Sequence, residues 1–259
     1  MVRSVVEPIA RFGLAARGVV YVVIGTLAAR AAAGKGGGAT DREGAVRAVD
    51  RVDTTGFLIT ALALGLLAYV LWRLVQAFGD LEGKGKDAKG LAVRAGYAGS
   101  GLAYLGLAVT AFGFGISRGS GSMRSWVARM LAEPWGPWAV GLAGGAVIGG
   151  GAWQLYRAWS AKFEYHLRLQ EMTPAARTWM RRIGRFGLSA RGVTFFVVGW
   201  FLIEAARHLN AREVRDFAGA LRTLEQQPYG AWLMGTVALG LVSYGVLSFI
   251  DARYRRIVR

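Results

Sequence analysis

The chain has 259 residues, 54% of them hydrophobic, and a formal net charge of +16. It contains no cysteine, which excludes disulfides, thiolate catalysis and cysteine-ligated metal. A soluble chain of this length forms one or two domains. Here the apolar residues are instead gathered into six nearly charge-free blocks at 18–33, 56–72, 95–116, 135–156, 192–203 and 231–250, most of which, with their flanks, reach the roughly 20 residues needed to cross a bilayer.

The first block follows Arg11-Phe12-Gly13-Leu14-Ala15-Ala16-Arg17 and is predicted to be a membrane helix. Ala31-Ala32-Ala33 at its end resembles a signal-peptidase site, yet later blocks repeat this one, so a retained helix is expected. Residues 41–50 follow as a short amphipathic helix: Asp41 is suited to cap its start, and Val46, Val49 and Val52 recur at helical spacing. The second block, 56–72, and the third, 95–116, are membrane helices. Trp126, Val127, Met130 and Leu131 mark another short amphipathic element that ends at Pro134, before the fourth block. A basic connector, 157–185, carries Phe163, Tyr165, Trp179 and Met180 among its charges. Within it Thr173-Pro174 has the cap-then-proline order of an amphipathic helix start. The fifth block extends to 186–206 if Arg191 sits at the interface. Residues 216–225, opened by a capping Asp216, precede the sixth block.

This order is one unit written three times. Residues 11–27 and 185–201 are identical at more than half of their positions, and Arg94, Gly96 and Gly101 match Arg11, Gly13 and Gly18 in a diverged middle copy. Each unit (8–80, 90–160 and 182–254) reads as membrane helix, interfacial amphipathic helix, membrane helix. Two crossings return the chain to its starting side, so the units share one orientation. The expected fold is a single membrane domain, 1–259: an all-α integral membrane protein with six transmembrane helices in three parallel-topology two-helix repeats about a pseudo-threefold axis. Inverted repeats, which need an odd number of crossings per unit, are disfavoured. The clusters Arg177/Arg181/Arg182/Arg185 and Arg253/Arg255/Arg256/Arg259 lie beside helix ends and place both termini on the cytoplasmic side of the membrane.

The copies 11–27 and 185–201, the Gly-Leu-Leu-Ala-Tyr run at 65–69, its relative at 240–244 and the basic ending 251–256 resemble a family of bacterial membrane proteins known as domain of unknown function 1206. The resemblance implies three tandem two-helix units and covers essentially the whole chain. The middle copy departs, with Ser100 for the second arginine and Gly150 at the tyrosine position. The family has no established activity, so the resemblance assigns no functional residues.

Glycines at helical spacing are expected to be packing faces: Gly18 with Gly25, Gly192 with Gly199, and the run Gly141, Gly145, Gly149. The arginines at the inner ends are the candidate site. Arg17 and Arg191 are equivalent, and the partner positions on the second helices are Gln76, Arg157 and Asp251. This register predicts Arg17 near Gln76, Arg157 near Ser100 and Arg191 near Asp251, with Arg73 a turn deeper. Such a layer either snorkels to lipid phosphate or closes the inner mouth as a polar ring able to hold an anion. His166 and His208 have no second ligand at metal spacing, and Glu204 is expected at the interface. No acid/base pair or activated nucleophile is visible, so the expectation is no enzyme, no cofactor and no metal. The expected partners are membrane lipids, chiefly anionic headgroups, and a protein or a second copy, but no nucleic acid. The reading is a non-catalytic lipid- or partner-binding bundle. The alternative is a small-solute or anion conduit along the axis, which bulky side chains filling that axis would exclude.

Overall fold

The computed structural model describes residues 2–35, 42–79, 83, 85, 87–112 and 123–256. These residues form helices α1 (Val2–Ala32), α2 (Arg42–Val52), α3 (Phe57–Gly79), α4 (Ala88–Ala111), α5 (Met123–Leu131), α6 (Gly136–Trp159), α7 (Pro174–Arg207), α8 (Phe217–Glu225) and α9 (Gly230–Tyr254), with short 3-10 turns in the connectors. Helix starts follow local chemistry. Asp87 accepts from Gly90 N (3.1 Å), Thr173 from Ala176 N (3.3 Å) and Asp216 from Gly219 N (2.7 Å), each satisfying an otherwise orphaned donor of the first turn. The expected cap Asp41 lies outside the described residues. Thr173-Pro174 does open a helix, but not a separate one: α7 runs unbroken for 34 residues, ~51 Å, into the fifth apolar block. Nothing in 181–191 stops it, because its glycines pack against neighbours instead of breaking the helix.

Four helical stretches, Val6–Ala32, Phe57–Gly79, Pro174–Arg207 and Gly230–Tyr254, are long and apolar enough to cross a membrane. α4 and α6, each 24 residues long, have the length; their glycine, serine, tyrosine and tryptophan content dilutes the aliphatic character. The short helices are amphipathic. α2 buries Ala45 and Val46 while Val52 is exposed, and α5 buries Val127 while Trp126 is exposed.

The main helix contacts are α1 with α9 and α3, α7 with α6 and α9, and α3 with α4. Side by side, the order is therefore α4, α3, α1, α9, α7, α6. The first and third copies each keep their two long helices together. Among the described residues the middle copy's α4 and α6 make no comparable contact, and they flank opposite ends of the row.

Glycine decides which faces meet. A Cβ at Gly18 or Gly25 on α1 would stand 3.0 or 2.7 Å from the carbonyl oxygens of Gly245 and Ala238 on α9. On α7, a Cβ at Gly192 or Gly199 would stand 3.1 or 2.7 Å from those of Gly151 and Gly144 on α6. These are backbone-to-backbone crossings that admit no side chain. The face expected at Gly141, Gly145 and Gly149 is not the one used. Gly141 makes only ordinary contact with Ala206, and Gly145 and Gly149 have nothing within 4 Å. The ridge facing α7 is Gly144 and Gly151, seven apart like the Gly192 and Gly199 they meet.

Gly144→Leu should therefore lower the thermal stability of the detergent-solubilised protein by the equivalent of about 1–3 kcal/mol, the usual penalty of overpacking. Gly145→Leu should leave it within experimental error. Equal losses in the two variants would contradict this face assignment.

Candidate functional site

The first arginine of each copy does one job three times. Arg11 Nη1 donates to the carbonyls of Ala252 (2.6 Å) and Arg253 at the end of α9. Arg94 donates from Nε to Ala77 O (2.7 Å) and from Nη2 to Phe78 O (3.1 Å) at the end of α3, and Arg185 Nη2 donates to Trp159 O (3.3 Å) at the end of α6. In each case a guanidinium occupies the negative end of a neighbouring helix and satisfies its orphan carbonyls. The cap always comes from a different copy than the helix it closes.

The second arginines lie inside the bundle. Arg17, 4% exposed, donates from Nη2 to Asp251 Oδ2 (3.3 Å), from Nε to Ser248 Oγ (3.2 Å) and from Nη1 to Tyr69 Oη (3.1 Å). Arg191 Nη1 donates to Gln154 Oε1 (3.1 Å) and Tyr244 Oη (2.8 Å). Arg73 donates from Nε to Tyr69 Oη (2.7 Å) and from Nη1 to Gln76 Oε1 (2.8 Å). Arg157 hydrogen-bonds with none of these, but lies within electrostatic reach of Asp251, Arg255 and Tyr244. The five expected site residues, Arg17, Arg73, Arg157, Arg191 and Asp251, thus converge, with different pairings. Asp251 binds Arg17, not Arg191. Gln76 binds Arg73, not Arg17. Each second arginine keeps the tyrosine of its own copy and also reaches the second helix of another, Arg17 to Ser248 and Asp251 and Arg191 to Gln154, because α1 lies against α9 and α7 against α6 at this level.

Aromatic rings fill the space between these charges. The Arg17 guanidinium is 5.3 Å from the ring centres of both Tyr69 and Tyr244, and that of Arg191 is 4.8 Å from Tyr244. Tyr21 meets Tyr244 edge-on at 4.7 Å, and Tyr69 meets Tyr104 at 4.6 Å. All four tyrosines are buried.

A model of the family described as Domain of Unknown Function (DUF1206) matches this chain three times, at residues 12–80, 95–161 and 186–255. The chain belongs to the DUF1206 family. It is also similar to "Uncharacterized protein YxxB" of Bacillus subtilis (strain 168), 34% identical over 247 residues, covering 95% of this chain and 90% of that protein. No solved structure matches.

The three DUF1206 segments coincide with the repeat, and the arginine–tyrosine centre lies within them and not in an appended domain. Several of its members escape sequence reasoning: Tyr21, Tyr104, Gln154, Ser248 and Arg42. A signal for the tyrosines exists, since a phenol within an apolar helix needs a partner for its hydroxyl. None exists for Arg42, which on an amphipathic helix looks like a solvated charge. His208 does have neighbours: Nδ1 lies 2.9 Å from Glu213 Oε2 and 3.7 Å from Glu204 Oε2, and the three offer ligand atoms within 4.8 Å of one another. Arg207 and Asn210 also engage these carboxylates (3.3 and 3.4 Å), so the cluster is accounted for as an exposed ion-pair network. His166 belongs to the connector, where its carbonyl accepts from Arg256 N (2.8 Å) and Arg168 N donates to Tyr254 O (2.8 Å); these bonds pin the connector to the end of α9.

Removing one partner of a buried ion pair strands the other, at about 3–5 kcal/mol for full burial. Asp251 is partly exposed, so Asp251→Asn should fall at or below the low end of that range. A thermal-unfolding double-mutant cycle in detergent, with Arg17→Gln, should give a double variant less damaged than the sum of the singles. Strict additivity would mean that the two residues are not energetically coupled.

Proposed function

We propose that this protein is a non-catalytic member of the bacterial cytoplasmic membrane. It crosses the bilayer six times as three parallel repeats about a pseudo-threefold axis, keeps both termini inside and binds anionic lipid headgroups at its arginine-rich inner end. The observation that carries the reading is the pattern of exposed side chains along the long helices. Phe57 and Phe78 are exposed at the two ends of α3, with exposed Leu64 and Leu71 between them. Trp135 and Trp138 at one end of α6, and Trp153 and Trp159 at the other, bracket an exposed Leu142. The α3 pair is ~31 Å apart along the axis, the thickness of the hydrocarbon core. Aromatic belts enclosing an aliphatic band are what a bilayer selects, and they extend the membrane reading to α6, whose glycines lower its hydropathy. The inter-copy contacts α1 with α9, α4 with α3 and α7 with α6 are of one kind, as a threefold arrangement requires. Toward the inner end the chain carries Arg73, Arg157, Arg253 and Arg255 together with exposed Tyr156, Trp159 and Trp179, and Lys162 and Arg182 lie over the Tyr156 and Trp179 rings, a combination suited to phosphate and glycerol at the interface.

The second reading, a solute or anion conduit, requires a continuous polar path. Tyr21, Tyr69, Tyr104 and Tyr244 are 0–4% exposed and fill the centre of the bundle, which favours a packed bundle over a pore.

The protein has no native cysteine, so single-cysteine labelling is clean. Lys35→Cys should react with an impermeant maleimide from the periplasmic side, and Ala175→Cys only after the cells are opened. Equal reactivity from outside would defeat the topology. Lipid binding has its own readout: the Arg73→Gln/Arg157→Gln double variant should retain less phosphatidylglycerol in native mass spectrometry than the Arg30→Gln/Arg51→Gln control at the opposite end. Unchanged retention would remove the headgroup reading while leaving the topology intact.

A further inference from the structure

The aromatic centre also receives a charge from outside the long helices. Arg42, at the start of α2, donates from Nη2 to Tyr21 Oη (3.3 Å), and its guanidinium lies 5.1 Å from the Tyr104 ring centre. Arg191 addresses the same phenol, 5.5 Å from the Tyr21 ring centre. Tyr21 and Tyr104 are essentially inaccessible to solvent.

Three buried polar atoms of this group have no hydrogen-bond partner: Arg42 Nε, Arg191 Nε and Tyr104 Oη. The contrast with Arg17, which has Asp251, is instructive. Among the described residues no carboxylate pairs with Arg42 or Arg191; their hydrogen-bond partners are the phenols of Tyr21 and Tyr244 and the amide of Gln154. Two guanidiniums within electrostatic reach of each other thus stand half-buried in an aromatic setting, each with a buried, unpartnered Nε and, among the described residues, no carboxylate against it. An uncompensated buried charge is strongly unfavourable, and orphaned buried donors add to the penalty. A counter-charge resolves both at once.

We infer that a small phosphate-type oxyanion binds between Arg42, Arg191 and Tyr104, taking the two Nε–H groups and the Tyr104 hydroxyl as donors. Guanidinium forks match oxyanion geometry and are less strongly hydrated than an ammonium, which suits a site walled by buried phenols. Arg42 rides on α2, an interfacial helix packed against α1, α3 and α4, so the bound ion also ties that helix to the centre of the bundle. The site is separate from headgroup binding at the inner end and stands or falls independently of it. The same phosphate chemistry is offered by a free ion and by a lipid headgroup; the burial of Tyr21 and Tyr104 favours the free ion.

The test uses the full chain in a neutral detergent, freed of phosphate. Thermal unfolding is followed by tryptophan fluorescence during titration with sodium phosphate at constant ionic strength, with parallel titrations of sodium chloride and phosphatidylglycerol. Inorganic phosphate should give a saturable rise in Tm that chloride does not give. Arg42→Gln and Tyr104→Phe should each weaken the apparent Kd about tenfold or more, as expected for loss of a charge-assisted hydrogen bond. Arg51→Gln, on the exposed end of the same helix, should leave it unchanged. The inference is overturned by the absence of a saturable shift, by an undiminished shift in the two variants, or by protection from phosphatidylglycerol alone. Should Arg42→Gln fail to fold, Tyr104→Phe decides, because it keeps the ring and removes only the orphaned hydroxyl.

Discussion

A guanidinium carried into an apolar bundle has to find partners there, and the rest of this structure follows from meeting that demand at Arg17 and Arg191. The partners available are phenols, a serine, an amide and one carboxylate, and they must be brought close without opening the bundle to water. The repeated motif does this residue by residue. Arg11 and Arg185 close the ends of neighbouring helices. Gly13 and Gly187 let the backbones of Tyr69 and Tyr244 approach so closely that any Cβ would collide, which places both phenols beside the second arginines. Ala16 and Ala190 fit against Gly65 and Gly240. Gly18 and Gly192 then allow the next helix to cross within reach of the guanidinium. A nine-residue signature therefore encodes a cap, a tyrosine seat, a buried charge and a helix crossing.

The middle copy shows what happens when the same demand is dropped. Ser100 replaces the arginine and Gly150 the tyrosine, and a Cβ at Gly96 would meet nothing within 4 Å. With no arginine on α4 and no phenol on α6 at the matching positions, the pair that joins α1 to α3 and α7 to α9 is missing, and α4 and α6 separate to the two ends of the row. Arg94 keeps its capping role on α3, so the copy retains its outward contacts while losing its inward one. Arg73 covers the loss on that side: its guanidinium lies over the rings of both Tyr69 and Tyr97, bridging α3 to α4.

Sequence made the repeat and the helices legible and singled out the arginines at the inner helix ends, because aligned copies must perform aligned roles. It did not reveal which copy supplies the partner. Equivalence between Gln76, Arg157 and Asp251 is compatible with pairing inside a copy or between copies, and only helix adjacency, α1 beside α9 and α7 beside α6, selects the second. The glycines of α6 carry the same lesson. Residues 141–151 hold several small-residue faces of equal merit, and the one used is chosen by the seven-residue spacing of Gly192 and Gly199 on the neighbour. Arg42 was beyond reach for another reason: its role depends on where a short amphipathic helix docks, which its own periodicity leaves open.

Pairing between copies has a consequence for why three copies occupy one chain. An isolated repeat keeps its own tyrosine contact but leaves its second arginine without the partner from the preceding helix, and its second helix without a cap. Both deficits fall on groups that the bundle removes from water, where an unmatched charge or carbonyl is most costly. Adding a neighbour repairs one junction and exposes the next. In this chain α1 closes onto α9, joining the first copy to the third, and so the first copy caps the third. The gap is left between α4 and α6, where the middle copy lacks the arginine–tyrosine pair that joins the two long helices of the other copies. The arrangement thus places its opening at the junction that tolerates it best.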